Sequence, residues 1–187
     1  MPAQDSFEVS TTLDATAMQV LFAFLTPQAV KSWWAAKNAV VQPRPGGLFV
    51  VEWEPGKHGE DDLLGPLGGT LAGTLDKAMA GHFVYFGNLQ WLTPRGEVFG
   101  PTRLEVDVFS KNDPRRKPTL LRVRSTGYLT GERWARYLEL TRRAWEKTLA
   151  DLASFCAQQS PEEADRTVGV LRTTYLAEAV LQGRRIS

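Results

Sequence analysis

The sequence is poor in the residues that most often build metal centres and disulfide frameworks. Its 187 residues include two histidines and a single cysteine, Cys156. One cysteine excludes an intramolecular disulfide framework, and two histidines cannot supply a histidine-rich metal site. We therefore expect no cofactor, no bound metal and a reducing compartment, which we take to be the cytoplasm.

The sequence also lacks long apolar runs and a large excess of charge. No segment approaches the roughly 18 apolar residues of a membrane span, and the N-terminal segment has no signal region. The 22 basic and 21 acidic residues leave a net charge of +1. Such a balance gives no broad electrostatic reason to expect nucleic acid or a membrane surface as a partner. We expect a soluble protein with no membrane insertion.

Catalytic motifs are missing as well. The sequence has no phosphate-binding loop, no dinucleotide fingerprint and no serine, histidine and aspartate nucleophile pattern. His58 lies in an acidic loop that could hold a loose cation or be simply solvated, and His82 opens a strand where a surface position is the simpler interpretation. Cys156 lies on an apolar helix stripe, which indicates a buried filler rather than a nucleophile. We assign no catalytic residue.

Aromatic side chains, by contrast, are concentrated around one turn. The stretch 22–53 contains the pair Trp33 and Trp34 and then a strand in which Phe49 and Trp53 share a face. This concentration predicts either a dense core or the wall of an apolar cavity. The residues alone do not separate these two alternatives.

Apolar periodicity predicts the order of the elements. A strand over 6–13 precedes a helix over 15–25, capped by Asp14, and a second short helix over 27–34. Residues 55–69, rich in glycine, proline and acid, are predicted to form a mobile loop. Six further strands with short turns indicate an antiparallel meander. Their predicted ranges are 38–42, 48–54, 70–79, 82–92, 102–109 and 119–126.

The strand over 82–92 has two different faces. We predict that the aromatic face points inward, and its members are Phe83, Tyr85, Gly87, Leu89 and Trp91. The other face is more polar and is predicted to point outward; its members are His82, Val84, Phe86, Asn88 and Gln90.

Two helices end the chain. The first covers 132–157, and its apolar stripe is suited to lie across a sheet. The stripe consists of Trp134, Leu138, Trp145, Leu149, Leu152 and Cys156. A capping box with proline at the first helical position, residues 160–163, begins a last helix over 161–182, which Gly183 can end.

Short motifs accompany this order of elements. They are Leu25-Thr26-Pro27-Gln28-Ala29-Val30, Trp33-Trp34, Pro45-Gly46-Gly47, Ser125-Thr126-Gly127-Tyr128, and Trp145 with Leu149 and Leu152. With them, the chain over about 6–157 resembles the helix-grip fold of the START-like (SRPBCC) superfamily. It resembles more closely the family related to the C-terminal domain of the activator of the heat-shock protein 90 ATPase.

The resemblance implies an α+β fold in which a curved antiparallel sheet wraps around a long C-terminal helix, with two short helices after the first strand. We predict a helix-grip domain over 1–159 and a C-terminal helical extension over 160–187. The last helix lies outside the family pattern, and its apolar surface favours a homodimer built partly from 161–182.

The resemblance also implies non-covalent binding of a small hydrophobic molecule between the sheet and the long helix. The aromatic set makes such a cavity physically reasonable, and the hydroxyls of Thr141 and Tyr85 are its predicted polar handle. The predicted ligand-binding residues are Trp33, Trp34, Phe49, Trp53, Phe83, Tyr85, Trp91, Trp134, Leu138, Thr141 and Trp145.

Two other functions stay open. The first is a stress-related co-chaperone, which would use an exposed apolar patch on the outer surface. The activator of the heat-shock protein 90 ATPase has a separate N-terminal chaperone-binding domain, whereas this sequence starts directly in the first strand. We therefore expect a chaperone partner less than a small molecule. The second alternative is a cyclase- or hydrolase-like enzyme, which would need at least two inward ionisable groups.

Overall fold

The computed structural model describes residues 6–170, in which one large antiparallel sheet packs against a long helix. The elements are β1 (Ser6–Leu13), α1 (Ala17–Leu25), α2 (Pro27–Trp33), β2 (Asn38–Val41), β3 (Gly47–Trp53), β4 (Glu60–Asp61), β5 (Gly65–Pro66), β6 (Gly69–Met79), β7 (Phe83–Leu92), β8 (Val98–Phe109), β9 (Thr119–Thr126), α3 (Glu132–Gln158) and α4 (161–170).

The large sheet has seven antiparallel strands in the order β1-β9-β8-β7-β6-β3-β2. The first strand of the chain therefore lies beside the last one, and the strands from β6 to β9 form the predicted meander. The inner face of the sheet packs against α1, α2 and α3. This is the predicted α+β fold with a sheet around a long helix, and the prediction is confirmed.

The cap predicted at Asp14 would start helix α1 at residue 15, but the helix begins two residues later, at Ala17. Thr16 is the actual cap: its hydroxyl accepts from the backbone N–H of Gln19 at 3.2 Å, and the Gln19 side chain accepts from the Thr16 N–H at 2.8 Å. The Gln19 amide also donates to the Cys156 and Gln159 carbonyls at the end of α3. The buried Gln19 side chain thus satisfies backbone groups at the start of α1 and at the end of α3.

Part of the predicted loop over 55–69 is ordered. Strands β4 and β5 form a short pair within it, and Asp61 accepts from the backbone N–H groups of Leu63 and Leu64. Strand β8 also begins earlier than predicted, at Val98 rather than residue 102. Local apolar periodicity misses these pairings, because each is made by a short segment whose glycine and proline residues are read as turn signals.

The inward face predicted for the first half of β7 is wrong. Val84 and Phe86 are fully buried in the core, whereas Phe83 and Tyr85 lie half-buried on the outer face. The register shifts after Phe86, where Asn88 adopts a left-handed φ of 50°. This bulge returns the second half of the strand to the predicted face, because an extra residue reverses the alternation of side chains.

Helix α4 packs on its own chain within the described residues. Ala164 and Val168 are each 1% exposed, and Asp165 pairs with Arg115 at 2.6 Å. The Ser160 hydroxyl caps the helix by accepting from the Glu163 N–H at 3.2 Å, as the capping box predicts. The remainder of the last helix, its predicted end at Gly183 and the homodimer surface beyond residue 170 lie outside the described residues.

Within residues 6–170, no helix combines the length and the apolar character needed to cross a membrane.

Candidate ligand-binding cavity

A cavity of about 540 Å³ lies between the sheet and α3. Its walls come from the end of α2, from strands β3 and β6 to β9, and from one side of α3. This volume lies within the range of about 300–1,000 Å³ that is typical of small-molecule sites. The cavity opens to solvent at a rim of exposed residues. It is therefore a cleft, and not an enclosed gap in the core.

Tryptophans dominate the wall. Five of the six in the sequence line the cavity: Trp33, Trp34, Trp53, Trp91 and Trp145. The Trp34 ring lies at the centre of this group. Its centroid is 4.8 Å from that of Trp33, 5.1 Å from that of Trp145 and 5.3 Å from that of Trp53. These four rings are therefore held by one another, and Trp91 is held separately by Phe99 and Tyr137.

A tight turn places the first two of these rings. Helix α2 ends at Trp33, and the N–H of Trp34 still donates to the Val30 carbonyl at 3.1 Å. Ala35 then adopts a left-handed φ of 49°. This reversal ends the helix while both rings remain on the cavity side. Trp33 is buried as a result, whereas Trp34 is only partly buried.

The indole N–H groups of Trp33, Trp53 and Trp91 are bonded to backbone carbonyls. Trp53 donates to the Trp34 carbonyl at 2.9 Å, and Trp91 donates to the Gly68 carbonyl at 2.7 Å. These bonds satisfy the polar atom of each indole. The rings consequently contribute apolar surface in a fixed orientation.

The polar groups of the interior form a cluster of hydroxyls, which we call the hydroxyl cluster. It consists of Thr102, Ser125, Tyr128, Tyr137 and Thr141. The Tyr128 and Ser125 hydroxyl oxygens lie 2.9 Å apart. The Tyr137 hydroxyl and the hydroxyls of Thr102 and Thr141 lie close enough to influence one another, and Tyr128 also interacts with Thr141. Strands β8 and β9, the segment after β9 and α3 all contribute to this cluster.

Both tyrosines of the cluster are neutral at physiological pH. Burial raises the pKa of Tyr128 to about 12, and burial together with the neighbouring Tyr128 raises the pKa of Tyr137 well above its ordinary value. An uncharged phenol with a raised pKa serves as a hydrogen-bonding group rather than a general base. The interior is therefore suited to orient a molecule.

Charged lining residues in the described part of the chain lie at the rim. They are His58, Arg143, Lys147 and Asp151, all of which are exposed. Partial burial and the neighbouring Lys57 and Lys147 lower the pKa of His58. The imidazole is consequently held in its neutral form more firmly than that of a free histidine.

The loop that carries His58 is fastened to α3. The Asp61 carboxylate, whose side chain is 3% exposed, pairs with Arg136 at 2.7 Å. Burial by itself would raise the pKa of Asp61, but the bonds from Arg136 and from backbone N–H groups outweigh it and lower the pKa. Arg133 adds a bond of 2.8 Å to the Leu63 carbonyl. The wall formed by this loop is thus held by charge-assisted bonds.

Six of the predicted site residues border the cavity. They are Trp33, Trp34, Trp53, Trp91, Thr141 and Trp145. Phe49 instead packs in the core against Phe86, with ring centroids 4.1 Å apart. Trp134 packs against Phe99 at 5.3 Å, and Leu138 is partly buried beside the core. These three lie outside the cavity wall.

Phe83 and Tyr85 lie on the other side of the sheet. The Tyr85 hydroxyl donates to Asp107 at 2.7 Å, and burial with that bond raises the pKa of the phenol to about 12. The Lys77 ammonium lies 4.9 Å from the Tyr85 ring centroid. The prediction that Tyr85 supplies a polar handle of the cavity is therefore wrong.

Sequence reasoning missed four members of the hydroxyl cluster. Tyr137 precedes Thr141 and Trp145 at intervals of four residues, so a helical stripe drawn through Thr141 would have included it. Tyr128 ends a motif that carries the family resemblance, but its role was not apparent from that motif. Thr102 and Ser125 lie in strands, and nothing in their local sequence separates an inward hydroxyl from an exposed one.

Comparison of the sequence with models of protein families found no match, and comparison with curated proteins found none. Solved structures do match. Protein CV1439 from Chromobacterium violaceum has a TM-score of 0.63 at 15% identity, over 83% of this chain and 100% of that chain. The Aha1 dimer from Colwellia psychrerythraea has a TM-score of 0.60 at 11% identity, over 82% of this chain and 96% of that chain.

An HSP90 activator from Plasmodium falciparum, PFC0360w, also matches. Its TM-score is 0.56 at 14% identity, over 77% of this chain and 89% of that chain. Identities this low establish a shared fold and leave activity and partners undetermined. The resemblance proposed from the sequence is confirmed at the level of the fold: the chain has a helix-grip fold and shares it with the Aha1 and HSP90 activator structures.

Proposed function

We propose that the protein binds a small, mainly apolar molecule non-covalently in the cavity between the sheet and α3. The observation that carries this proposal is the cavity of about 540 Å³ with five tryptophans in its wall. Binding sites for small molecules are lined mainly by apolar and aromatic side chains, with a few convergent polar groups. The hydroxyl cluster supplies those polar groups.

The rigidity of the wall favours binding. Each apolar Å² that a ligand removes from water is worth about 25 cal/mol, but immobilising side chains costs part of that gain. Here the rings of Trp33, Trp34, Trp53 and Trp145 pack against one another. The N–H groups of Trp53 and Trp91 are already bonded to the backbone. A ligand therefore enters a site that needs little further ordering.

Placement of charge supports binding over catalysis. The charged residues that line the described cavity are at its rim, and the interior offers neutral hydroxyls. General acid–base chemistry needs a group that can exchange a proton near neutral pH next to the reacting atoms. The raised pKa values of the two tyrosines make them poor candidates for that role.

The buried Cys156, which forms no disulfide, fits a cytoplasmic location, which we propose as well.

A neutral dye tests the proposal. N-phenylnaphthylamine should bind the full chain saturably, with a rise in fluorescence as the dye leaves water. Leu71→Trp, which places a larger side chain in the cavity wall, should weaken binding by roughly tenfold, the ratio given by about 1.4 kcal/mol. Leu129→Trp is the matched control, because Leu129 is 63% exposed and lies outside the wall.

Absence of saturable binding to the full chain would overturn the proposal. Equal affinity of the wild type and Leu71→Trp would also contradict it, because the dye would then be bound elsewhere. Circular dichroism of each variant shows whether the fold is retained.

The outer face of the sheet favours a second candidate function, an interaction with a protein partner. Phe109 and Leu120 lie opposite each other in the register and are 46% and 43% exposed. Phe83 adds a half-buried ring on the same face. Exposed apolar patches commonly mark protein-binding surfaces. The HSP90 activator with the same fold makes a chaperone of that type the partner to test.

Calorimetric titration of this protein with purified HSP90 tests the second candidate. Binding that Phe109→Glu weakens by about tenfold, while the cavity variant Leu71→Trp leaves it unchanged, would support it. No heat of binding to HSP90 would remove this chaperone as a partner.

A further inference from the structure

We propose that the ligand presents a hydrogen-bond donor, a hydroxyl or an N–H group, to the hydroxyl cluster. This inference rests on the proposed function and concerns the class of molecule bound. Its basis is where the five hydroxyl protons of the cluster are already used.

Three of the hydroxyls donate to the backbone. Each side chain donates to a carbonyl oxygen, at 3.1 Å for Ser125, 3.3 Å for Thr102 and 2.8 Å for Thr141. A hydroxyl has one proton and two lone pairs. These three groups can therefore act only as acceptors toward the other members of the cluster.

The two phenols donate to those acceptors. Since the Ser125 proton is used on a carbonyl, Tyr128 is the donor in the 2.9 Å contact between the two hydroxyls. The Tyr137 hydroxyl lies beside Thr102 and Thr141, whose protons are used in the same way, so its single proton can be donated to one of these two oxygens. An acceptor inside the protein is thus available for each of the five protons.

Lone pairs of the two phenol oxygens remain available to a ligand. Tyr128 and Tyr137 both border the cavity, and each oxygen donates one proton and keeps capacity to accept. A ligand hydroxyl or N–H group would fill that capacity. A ligand that carries only acceptors, such as an ether or a ketone, would have to take a proton from an internal bond, because a buried acceptor without a donor is costly.

A pair of ligands of equal size separates these cases. n-Octanol and heptyl methyl ether have the same number of non-hydrogen atoms, and only the alcohol can donate. In a purely apolar pocket the ether would bind better, because the alcohol would lose its bonds to water. We expect the opposite order here: n-octanol should displace N-phenylnaphthylamine at a concentration roughly tenfold lower than the ether requires, in line with one hydrogen bond of about 1.4 kcal/mol.

Variants locate the effect at the two phenols. In the double variant Tyr128→Phe/Tyr137→Phe, the preference for n-octanol should disappear. Tyr85→Phe is the matched control, because its hydroxyl lies on the other face of the sheet; the preference should persist there. A preference lost equally in Tyr85→Phe would contradict the assignment.

The remaining outcomes are distinct. If both compounds displace the dye from the wild type and the ether is equal or better, the inference is overturned and the proposed function stands. If neither compound displaces a dye whose binding Leu71→Trp weakens, the cavity takes up neither small molecule and both proposals fall. The comparison of ligands on the wild type does not depend on whether the double variant folds.

Discussion

His58 lies at the rim of the cavity beside Lys57 and Lys147, and its pKa depends on these two positive charges. Partial burial and the two ammonium groups lower its pKa. Because the pKa is lower in the folded state, the unfolded chain binds the proton more tightly. The stabilisation linked to neutral His58 is therefore present above a pH of about 6.5 and is lost as the pH falls through the folded pKa.

Replacement of Lys147 should raise the pKa of His58. Lys147→Gln removes a positive charge that disfavours the imidazolium. NMR titration of the imidazole signals measures the shift, and His82→Gln identifies which of the two histidines gives each signal. Lys77→Gln is the control, since Lys77 lies against Tyr85 on the other face of the sheet. A His58 pKa that is unchanged in Lys147→Gln would show that the two side chains are not adjacent in solution.

Single residues also show where sequence reasoning reaches its limit in the cavity. The tryptophan pair Trp33 and Trp34 was identified because aromatic residues around a turn are visible in the sequence. The hydroxyl cluster was missed because Thr102 and Ser125 become special only when strands β8 and β9 bring them beside α3. The chemistry of a serine or threonine depends on what surrounds it, and those neighbours are distant in sequence.

At the scale of elements, helix α3 holds the loop that connects β3 to β6. Arg136→Gln removes the charged partner of Asp61, which itself caps the amides of Leu63 and Leu64. We predict faster hydrogen exchange at these two amides, because local opening of the loop becomes easier. Arg142→Gln is the control, since its pair with Glu146 is exposed on α3.

Equal exchange rates in Arg136→Gln and wild type would contradict this role of Arg136. The effect also has a pH dependence. Since the pKa of Asp61 is lowered on folding, the stabilisation it provides is present above a pH of about 4 and is lost as the carboxylate is protonated below it. The amides of Leu63 and Leu64 should therefore lose protection in acid before the core does.

Trp145 fastens α3 to the rest of the core. It is 4% exposed, and its ring stacks on Phe24 at 6.3 Å and contacts both Trp33 and Trp34. Trp145→Ala should lower the free energy of unfolding by about 3–5 kcal/mol, as for other large core truncations. Urea denaturation measures it, with the exposed Leu129→Ala as control. A loss under about 1 kcal/mol, which is typical of surface sites, would show that this helix face is wrongly assigned.

Elements differ in how well the sequence predicts them. Helix α2 was predicted within one residue of its bounds, because Pro27 at the first helical position is a local signal. Strand β7 was predicted with its first half inverted. The bulge near Asn88 arises from its pairing with both neighbouring strands, and a pattern of alternating residues contains no sign of a register shift.

At the scale of the whole molecule, the helical extension over 160–187 stays a proposal, as does its role in a homodimer. The described part of α4 buries Ala164 and Val168 on its own domain and ties to the hairpin at Arg115. One solved structure with this fold is described as a dimer. We predict that the full chain sediments as a dimer and that a chain ending at Gln159 sediments as a monomer.

The truncated chain should also be less stable, because it exposes the core surface that Ala164 and Val168 cover. Thermal melting of the two chains measures this loss. Two monomeric chains of equal stability would show that the helix is neither an interface nor a brace.

The overall fold was predictable because its signals are spread over the whole chain. Alternating strands, two short helices and a long apolar stripe each indicate the same architecture, and an error such as the inverted half of β7 does not change it. The cavity was not predictable in the same way, since a packed core and a lined cavity use the same aromatic residues. Only the positions of the rings distinguish the two.

The indole N–H signals of the six tryptophans test the central claim most directly. In a proton–nitrogen NMR titration of the full chain with n-octanol, we predict saturable shifts for Trp33, Trp34, Trp53, Trp91 and Trp145, which line the cavity. Trp134 lies outside the wall and should shift least. Unchanged signals at a saturating concentration, or a shift confined to Trp134, would contradict ligand binding in this cavity.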